Sequence, residues 1–231
     1  MKDIEKFAVE PGSIWQVGRH VLACGDIEEG GGEQLLKFYE QSMAQRPSMV
    51  YTDPPWTQAL ATNFRRRAGL NNPVTFRAFI ARMLSLTAKV PGLAFIEIGA
   101  QQNTYLAGAI EAAGYVEQGV VPITYTYYKT RRCYLHWASL HTGSNGYAIA
   151  GVLQGLDDEV TPERAIKEAT APGAVVFEPC LGQGLTALAA ARASRVCLGM
   201  ELNPKRLSTS LARMEKLLDI TPVEIGDLYS V

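Results

Sequence analysis

Four consecutive residues, Asp53-Pro54-Pro55-Trp56, follow the apolar run Ser48-Met49-Val50-Tyr51-Thr52 and bring together an acid, a fixed carbonyl and a flat ring. Consecutive prolines cannot continue a hydrogen-bonded ladder, so the run is expected to be a buried strand that stops at Asp53. The Asp53 carboxylate and the Pro54 carbonyl, the latter held by proline's restricted backbone, are two acceptors in defined places. Such a pair suits an exocyclic amine, which is a poor nucleophile because its lone pair is delocalised into the attached ring. Accepting its two N–H hydrogens draws the nitrogen toward tetrahedral geometry. Trp56 adds a face on which an extruded base can stack, worth roughly 1–3 kcal/mol per base. No covalent intermediate is required, because in-line alignment of amine and methyl sulfonium provides much of the catalysis. Taken alone, the tetrapeptide reads equally well as a strand-ending turn with a core tryptophan.

A second group is Glu178-Pro179-Cys180-Leu181-Gly182-Gln183-Gly184, placed between an apolar run (174–177) and a small-residue helix expected at 185–193. Glycines after a buried strand let the backbone approach a ligand and aim a helix N-terminus at it. The next apolar run, 195–200, ends in Glu201, about 20 residues on, where an acid can take both hydroxyls of a ribose. A lone G-x-G is a weak signal and also describes a tight packing turn. With both strands and the acid in register it indicates a nucleotide-type cofactor.

Together these motifs resemble the DNA amino-methyltransferases, the N6-adenine and N4-cytosine family, whose hallmark pair is D-P-P-[YFW] and D-P-F-x-G-x-G-T-T. The acid-proline motif precedes the glycine motif by 125 residues, the circularly permuted order of the family's β group. Trp15, Gly18, His20 and Cys24-Gly25-Asp26 resemble that group's N-terminal hairpin leading to G-D-S, so the likeness runs over roughly 13–218. It implies S-adenosylmethionine as cofactor and a Rossmann-like α/β methyltransferase fold. Asp53, Pro54, Pro55 and Trp56 would be catalytic. Glu178, Gly182 and Gly184 would line the methionine end of the cofactor, with Cys180 packed against it and Glu201 on its ribose. Asp26 would lie near the cofactor or the active-site mouth, and Thr161-Pro162 stands where the family has K-P or a similar pair beside the cofactor. Glu178 replaces the usual Asp, Cys180 the usual Phe, and Gln183-Gly184-Leu185-Thr186 the usual S-G-T-T.

These residues need a frame. Residues 13–26 read as a hairpin turning at Gly18, and Glu33 to Gln41 and about 74–88 as helices on apolar stripes. Residues 57–72 read as a loop. Leu93 to Ile98 is an expected strand, Thr104 to Ala113 a helix with Gly114 at its C-terminal cap, and Pro122–Lys129 with Cys133–Ser139 two strands around a basic turn, Thr130-Arg131-Arg132. Thr161 is expected to cap a helix with Pro162 at its first position, and a last helix spans about 204–218. Alternation of strands and helices argues for one domain built on a mostly parallel, seven-stranded mixed sheet. The expected order places 174–177 centrally with 195–200 and then 20–24 on one side. On the other side come 48–52, 93–98 and the hairpin. Asp53 and Gly182 then meet at the carboxyl edge of neighbouring strands.

Composition narrows the function classes. The chain has 231 residues, 47% apolar and 19% charged, ordinary for a globular protein. No apolar run approaches the ~20 residues of a membrane span, and no apolar stretch follows the charges of Met1–Lys6, so a cytoplasmic home and no membrane partner are expected. Cys24, Cys133, Cys180 and Cys197 are scattered, and His20, His136 and His141 lie far apart, so no metal site is expected. The net charge of −1 gives no global attraction to nucleic acid, and phosphates would have to be met locally. Arg65-Arg66-Arg67 and the turn with Lys129, Arg131 and Arg132, near Tyr125, Tyr127 and Tyr128, are the candidate contacts, though solvated charge runs read the same.

Pro179-Cys180 is the dipeptide that cytosine C5-methyltransferases use as nucleophile, but it stands before the cofactor glycines, where packing is the better reading. Most of the interval between the motifs is accounted for by core elements, leaving only the polar, glycine-containing stretch at about 140–160 and the 57–72 loop in place of a large sequence-reading insertion. Selectivity is therefore expected to be weak or to come from a second subunit, a homodimer or a specificity partner. Compact phage or mobile-element enzymes have this outline. Adenine N6 in DNA is preferred because the first motif residue is Asp, whereas many N4-cytosine enzymes have Ser. Cytosine N4, an RNA base, a protein amide, another base modification on the same fold, and a non-catalytic nucleic-acid-binding subunit remain the alternatives.

Overall fold

The computed structural model describes residues 5–126, 130–140 and 146–230. Its centre is five parallel strands in the order β4 (Leu93–Gly99), β3 (Met49–Thr52), β7 (Val175–Glu178), β8 (Val196–Glu201) and β2 (His20–Cys24). These runs are predominantly apolar because both of their faces are covered, Glu97 being the acid within β4. β6 (Thr130–Ser139) pairs antiparallel with β4, and β5 (Val116–Thr126) antiparallel with β6. At the opposite end β1 (Ser13–Val17) pairs antiparallel with β2, and β9 (Val223–Asp227) with β1.

Among the described residues the sheet therefore has nine strands rather than seven. The expected central order is found, and β1 and β9 extend it. β9 escaped the sequence reading because it is an exposed edge, held by ladder hydrogen bonds without the alternating burial that marks an inner strand.

Helices cover both faces. α5 (Gly146–Leu153), α6 (Thr161–Ala169), α7 (Leu185–Arg192) and α8 (Pro204–Leu218) bury Leu153, Ile166, Ala187, Leu207 and Leu211 against one face. α1 (Gly31–Met43), α3 (Phe76–Thr87) and α4 (Asn103–Ala112) bury Leu35, Tyr39, Ile80, Met83, Leu106 and Ile110 against the other. Gly114, at φ +83, follows α4 as its left-handed stop. None of the described helices is long and apolar enough to cross a membrane.

Two local expectations change. Residues 57–72 are not a loop: α2 (Gln58–Arg67) begins at Thr57, whose hydroxyl caps the Leu60 N–H at 3.2 Å. Its inward positions are Ala61 and Arg65, one turn apart, so its buried stripe contains a charge and gives no apolar periodicity. The expected turn Thr130-Arg131-Arg132 is instead ladder, opposite Thr126, Tyr125 and Thr124. Tyr127, Tyr128 and Lys129 lie outside the described residues, as does His141.

Candidate active site

Parallel strands that end together place their following residues at one edge. β3 ends at Thr52, β7 at Glu178 and β8 at Glu201, so Asp53, the glycine loop and Glu201 share the carboxyl edge of three adjacent strands. This is where open α/β sheets bind ligands.

Asp53 is open to solvent yet ringed by protein. That surrounding pushes its carboxyl up to about 6, opposed by a hydrogen bond from Trp56 and by the charge of Arg206. Trp56 Nε1 donates to Asp53 Oδ1 at 2.7 Å. The indole packs on the end of β4, where a methyl group on Gly99 would come within 2.9 Å of Cε3, and meets Tyr125 edge-on at 5.0 Å between centroids. Pro54 is buried and Pro55 half-buried.

Glu178 is buried beneath the glycine loop and shapes it. Cys180 N–H donates to Oε1 at 2.8 Å and the Thr186 hydroxyl to Oε2 at 2.9 Å. Burial pushes this carboxyl up to about 8 in spite of those donors. The loop above it needs its glycines: Gly182 has φ +60, and Gly184, φ +82, is the N-cap of α7, which no side chain caps. Glu201 is oriented by two backbone donors, Gly182 N–H at 2.7 Å and Asn203 N–H at 2.9 Å. Burial holds the Cys180 thiol well above the ordinary range, which keeps it protonated and fits packing rather than nucleophilic attack.

The remaining sequence candidates separate. Asp26, in the turn after β2, is buried and forms an ion pair with Arg65 of α2, closest approach 2.9 Å. Arg65 also donates to the Asn72 side-chain oxygen at 2.7 Å, so it braces α2 and is not presented to a phosphate. Arg66 and Arg67 are exposed on α2, and Arg131 and Arg132 on β6. Thr161 is not the cap of α6: Val160 holds that position, and the buried Thr161 hydroxyl donates to the Asp157 carbonyl at 2.7 Å. A surface groove between α3 and α4, lined by Ala81, Ser85, Gly108 and Ala109 among others, shares no residue with this edge.

Three residues near the site escape the sequence reading: Glu97, Tyr51 and Arg206. Glu97 on β4 is buried, accepts a hydrogen bond from the Tyr51 hydroxyl, and is held well above the carboxylate range by burial and by Asp53. Its signal was a lone acid inside the apolar strand Leu93–Ile98. Arg206, in the first turn of α8, lies 4.8 Å from the Phe64 ring centroid and influences Asp53. Nothing in its sequence context distinguishes it from a surface arginine.

Comparison with solved structures bears on the fold. TTHA0409 of Thermus thermophilus, described as a putative DNA modification methylase and solved with S-adenosyl-L-methionine, matches at TM-score 0.62 and 20% identity over 90% of this chain and 98% of its own. The PvuII DNA methyltransferase, cytosine-N4-specific, matches at 0.59 and 16% over 93% and 94%. M1.HpyAVI matches at 0.56 and 20% over 84% and 97%. This chain has the Rossmann-like fold of these methyltransferases. No family model and no curated protein matches the sequence.

Proposed function

We propose that the chain is an S-adenosylmethionine-dependent methyltransferase acting on an exocyclic amine of a nucleic-acid base, adenine N6 in DNA first. The observation that carries this reading is the single edge at which Asp53, the Gly182–Gly184 loop and Glu201 converge. The residues suit the cofactor. Both loop glycines hold left-handed backbone, a Cβ at Gly182 would crowd the Arg206 guanidinium at 3.1 Å, and Glu201 is already oriented at the strand end where ribose hydroxyls are bound.

When bound, S-adenosylmethionine supplies an electrophilic methyl group on a sulfonium. Asp53 accepts one hydrogen of the target amine and the Pro54 carbonyl the other, which localises the nitrogen lone pair toward that methyl. With its carboxyl at about 6, Asp53 is mostly ionised at neutral pH and serves as acceptor. Formation of the new N–C bond would break the methyl–sulfur bond and leave a neutral thioether; the nitrogen, cationic on methylation, would release its proton to Asp53 or to water. Trp56 and Tyr125 provide the aromatic wall beside the reacting group.

Asp at position 53 favours adenine, and the N4-cytosine specificity of one structural neighbour makes cytosine the second reading. Labelled-methyl transfer to unmethylated DNA, followed by digestion to nucleosides, separates them. N6-methyladenine is the expected product. N4-methylcytosine would replace the adenine assignment, and cofactor binding without transfer to DNA would move the substrate to RNA or protein.

A further inference from the structure

We propose that Arg206 holds the carboxylate of the cofactor's methionine moiety, an assignment that rests on the methyltransferase reading above. Arg206 stands five residues beyond Glu201, in the first turn of α8. The strand end that orients Glu201 therefore also sets where the guanidinium can reach. The side chain folds back over the glycine loop, so that a methyl group on Gly182 would stand 3.1 Å from Nη2. The Phe64 ring of α2 lies 4.8 Å from Cζ. This cation–π contact fixes the guanidinium without using any of its N–H groups.

Among the described residues Arg206 forms no ion pair and its side chain makes no hydrogen bond, and Nε is shut off from water. An arginine is always charged and carries five donors in a planar fork that matches a carboxylate bidentately. The Nε donor, shut off from water and unmet, costs stability unless a ligand meets it. The charge is felt in the same cleft, where it favours the ionised form of Asp53. S-adenosylmethionine has one anionic group, its carboxylate. A small carboxylate suits Arg206 better than a DNA phosphate does, because the guanidinium faces Gly182 and Phe64 while Arg66 and Arg67 occupy the exposed side of α2.

The test compares two ligands by isothermal titration: S-adenosylhomocysteine, which carries the carboxylate, and methylthioadenosine, which keeps the nucleoside and thioether but lacks it. Wild type, Arg206→Lys and Arg206→Met are measured. Arg206→Met is expected to bind S-adenosylhomocysteine about 10- to 100-fold more weakly, the loss of a charge-assisted hydrogen-bonded pair. It should bind methylthioadenosine as wild type does, which also shows that the variant is folded, and Arg206→Lys should fall between. Equal weakening toward both ligands would overturn the assignment, since it would mean a structural role. Undiminished S-adenosylhomocysteine binding would overturn it too, and a loss of DNA affinity alongside would give Arg206 to a phosphate. Wild type binding neither ligand would instead remove the methyltransferase reading itself.

Discussion

The indole N–H of Trp56 donates to Asp53 Oδ1 at 2.7 Å, so the carboxylate assigned to an incoming amine is already engaged by the aromatic residue of its own motif. A donor to the ionised form lowers a carboxyl pKa, and here it works against desolvation by the surrounding protein, which leaves Asp53 at about 6. An amine hydrogen and the indole compete for the same group, and the carboxylate must be ionised to accept from either.

The pH dependence of transfer follows. The kcat of the wild type should fall as pH drops through about 6, where Asp53 takes up a proton. Trp56→Phe keeps a ring but removes the donor, so the acid limb should move to higher pH. A profile unchanged in Trp56→Phe, or one that moves to lower pH, would show that the indole bond does not govern Asp53.

The Asp26–Arg65 pair ties the turn after β2 to α2. Its side chains are only 9% and 7% exposed, so breaking it leaves a buried charge. Arg65→Met or Asp26→Asn should each cost about 3–5 kcal/mol of stability, a fall in Tm of roughly 6–20 °C for a chain of this size. The double variant should lose less than the sum of the two. Single variants that melt with the wild type would contradict the pairing.

Much of this was legible in the chain. Five buried strands were legible because parallel strands covered on both faces show themselves by hydrophobicity, and their central order was what the resemblance to permuted methyltransferases implied. α2 was not legible, since its inward stripe includes Arg65, whose burial depends on Asp26, 39 residues earlier. β9 was not legible because ladder pairing, not burial, holds it. The meeting of Asp53, Gly182 and Glu201 at one strand edge was expected from the motifs and the resemblance they carry. Arg206 was not, because its meaning comes from folding back onto Gly182 and Phe64, contacts that no local pattern encodes.

Glu178 gives a stability signature. Burial raises its carboxyl to about 8, from an ordinary value of 4.5. The folded state therefore holds the proton more tightly than the unfolded one, and stability falls as pH rises between these values. Asp53 and Asp158, raised to about 6 and about 7, contribute in the same direction. Glu178→Gln should flatten part of the decline, measured by urea unfolding at pH 5 and pH 8. A slope equal to that of the wild type would show that Glu178 is ionised in both states.

Cys180 offers a contrast with covalent chemistry. Its thiol is held well above the ordinary range by burial and by Glu178, so no thiolate is available for attack at neutral pH. Cys180→Ala should retain methyl transfer within several-fold, assayed at saturating cofactor. Loss of transfer to background with cofactor binding intact would make the thiol part of the reaction.

The most direct test is labelled-methyl transfer to unmethylated DNA by wild type and Asp53→Asn, with S-adenosylmethionine binding measured on both by titration. The predicted result is unimpaired cofactor binding together with a fall in transfer on the order of 10²–10³-fold, the loss of one charged acceptor at the reacting group. Transfer by Asp53→Asn at the wild-type rate would contradict the assignment of the β3 edge as the catalytic centre.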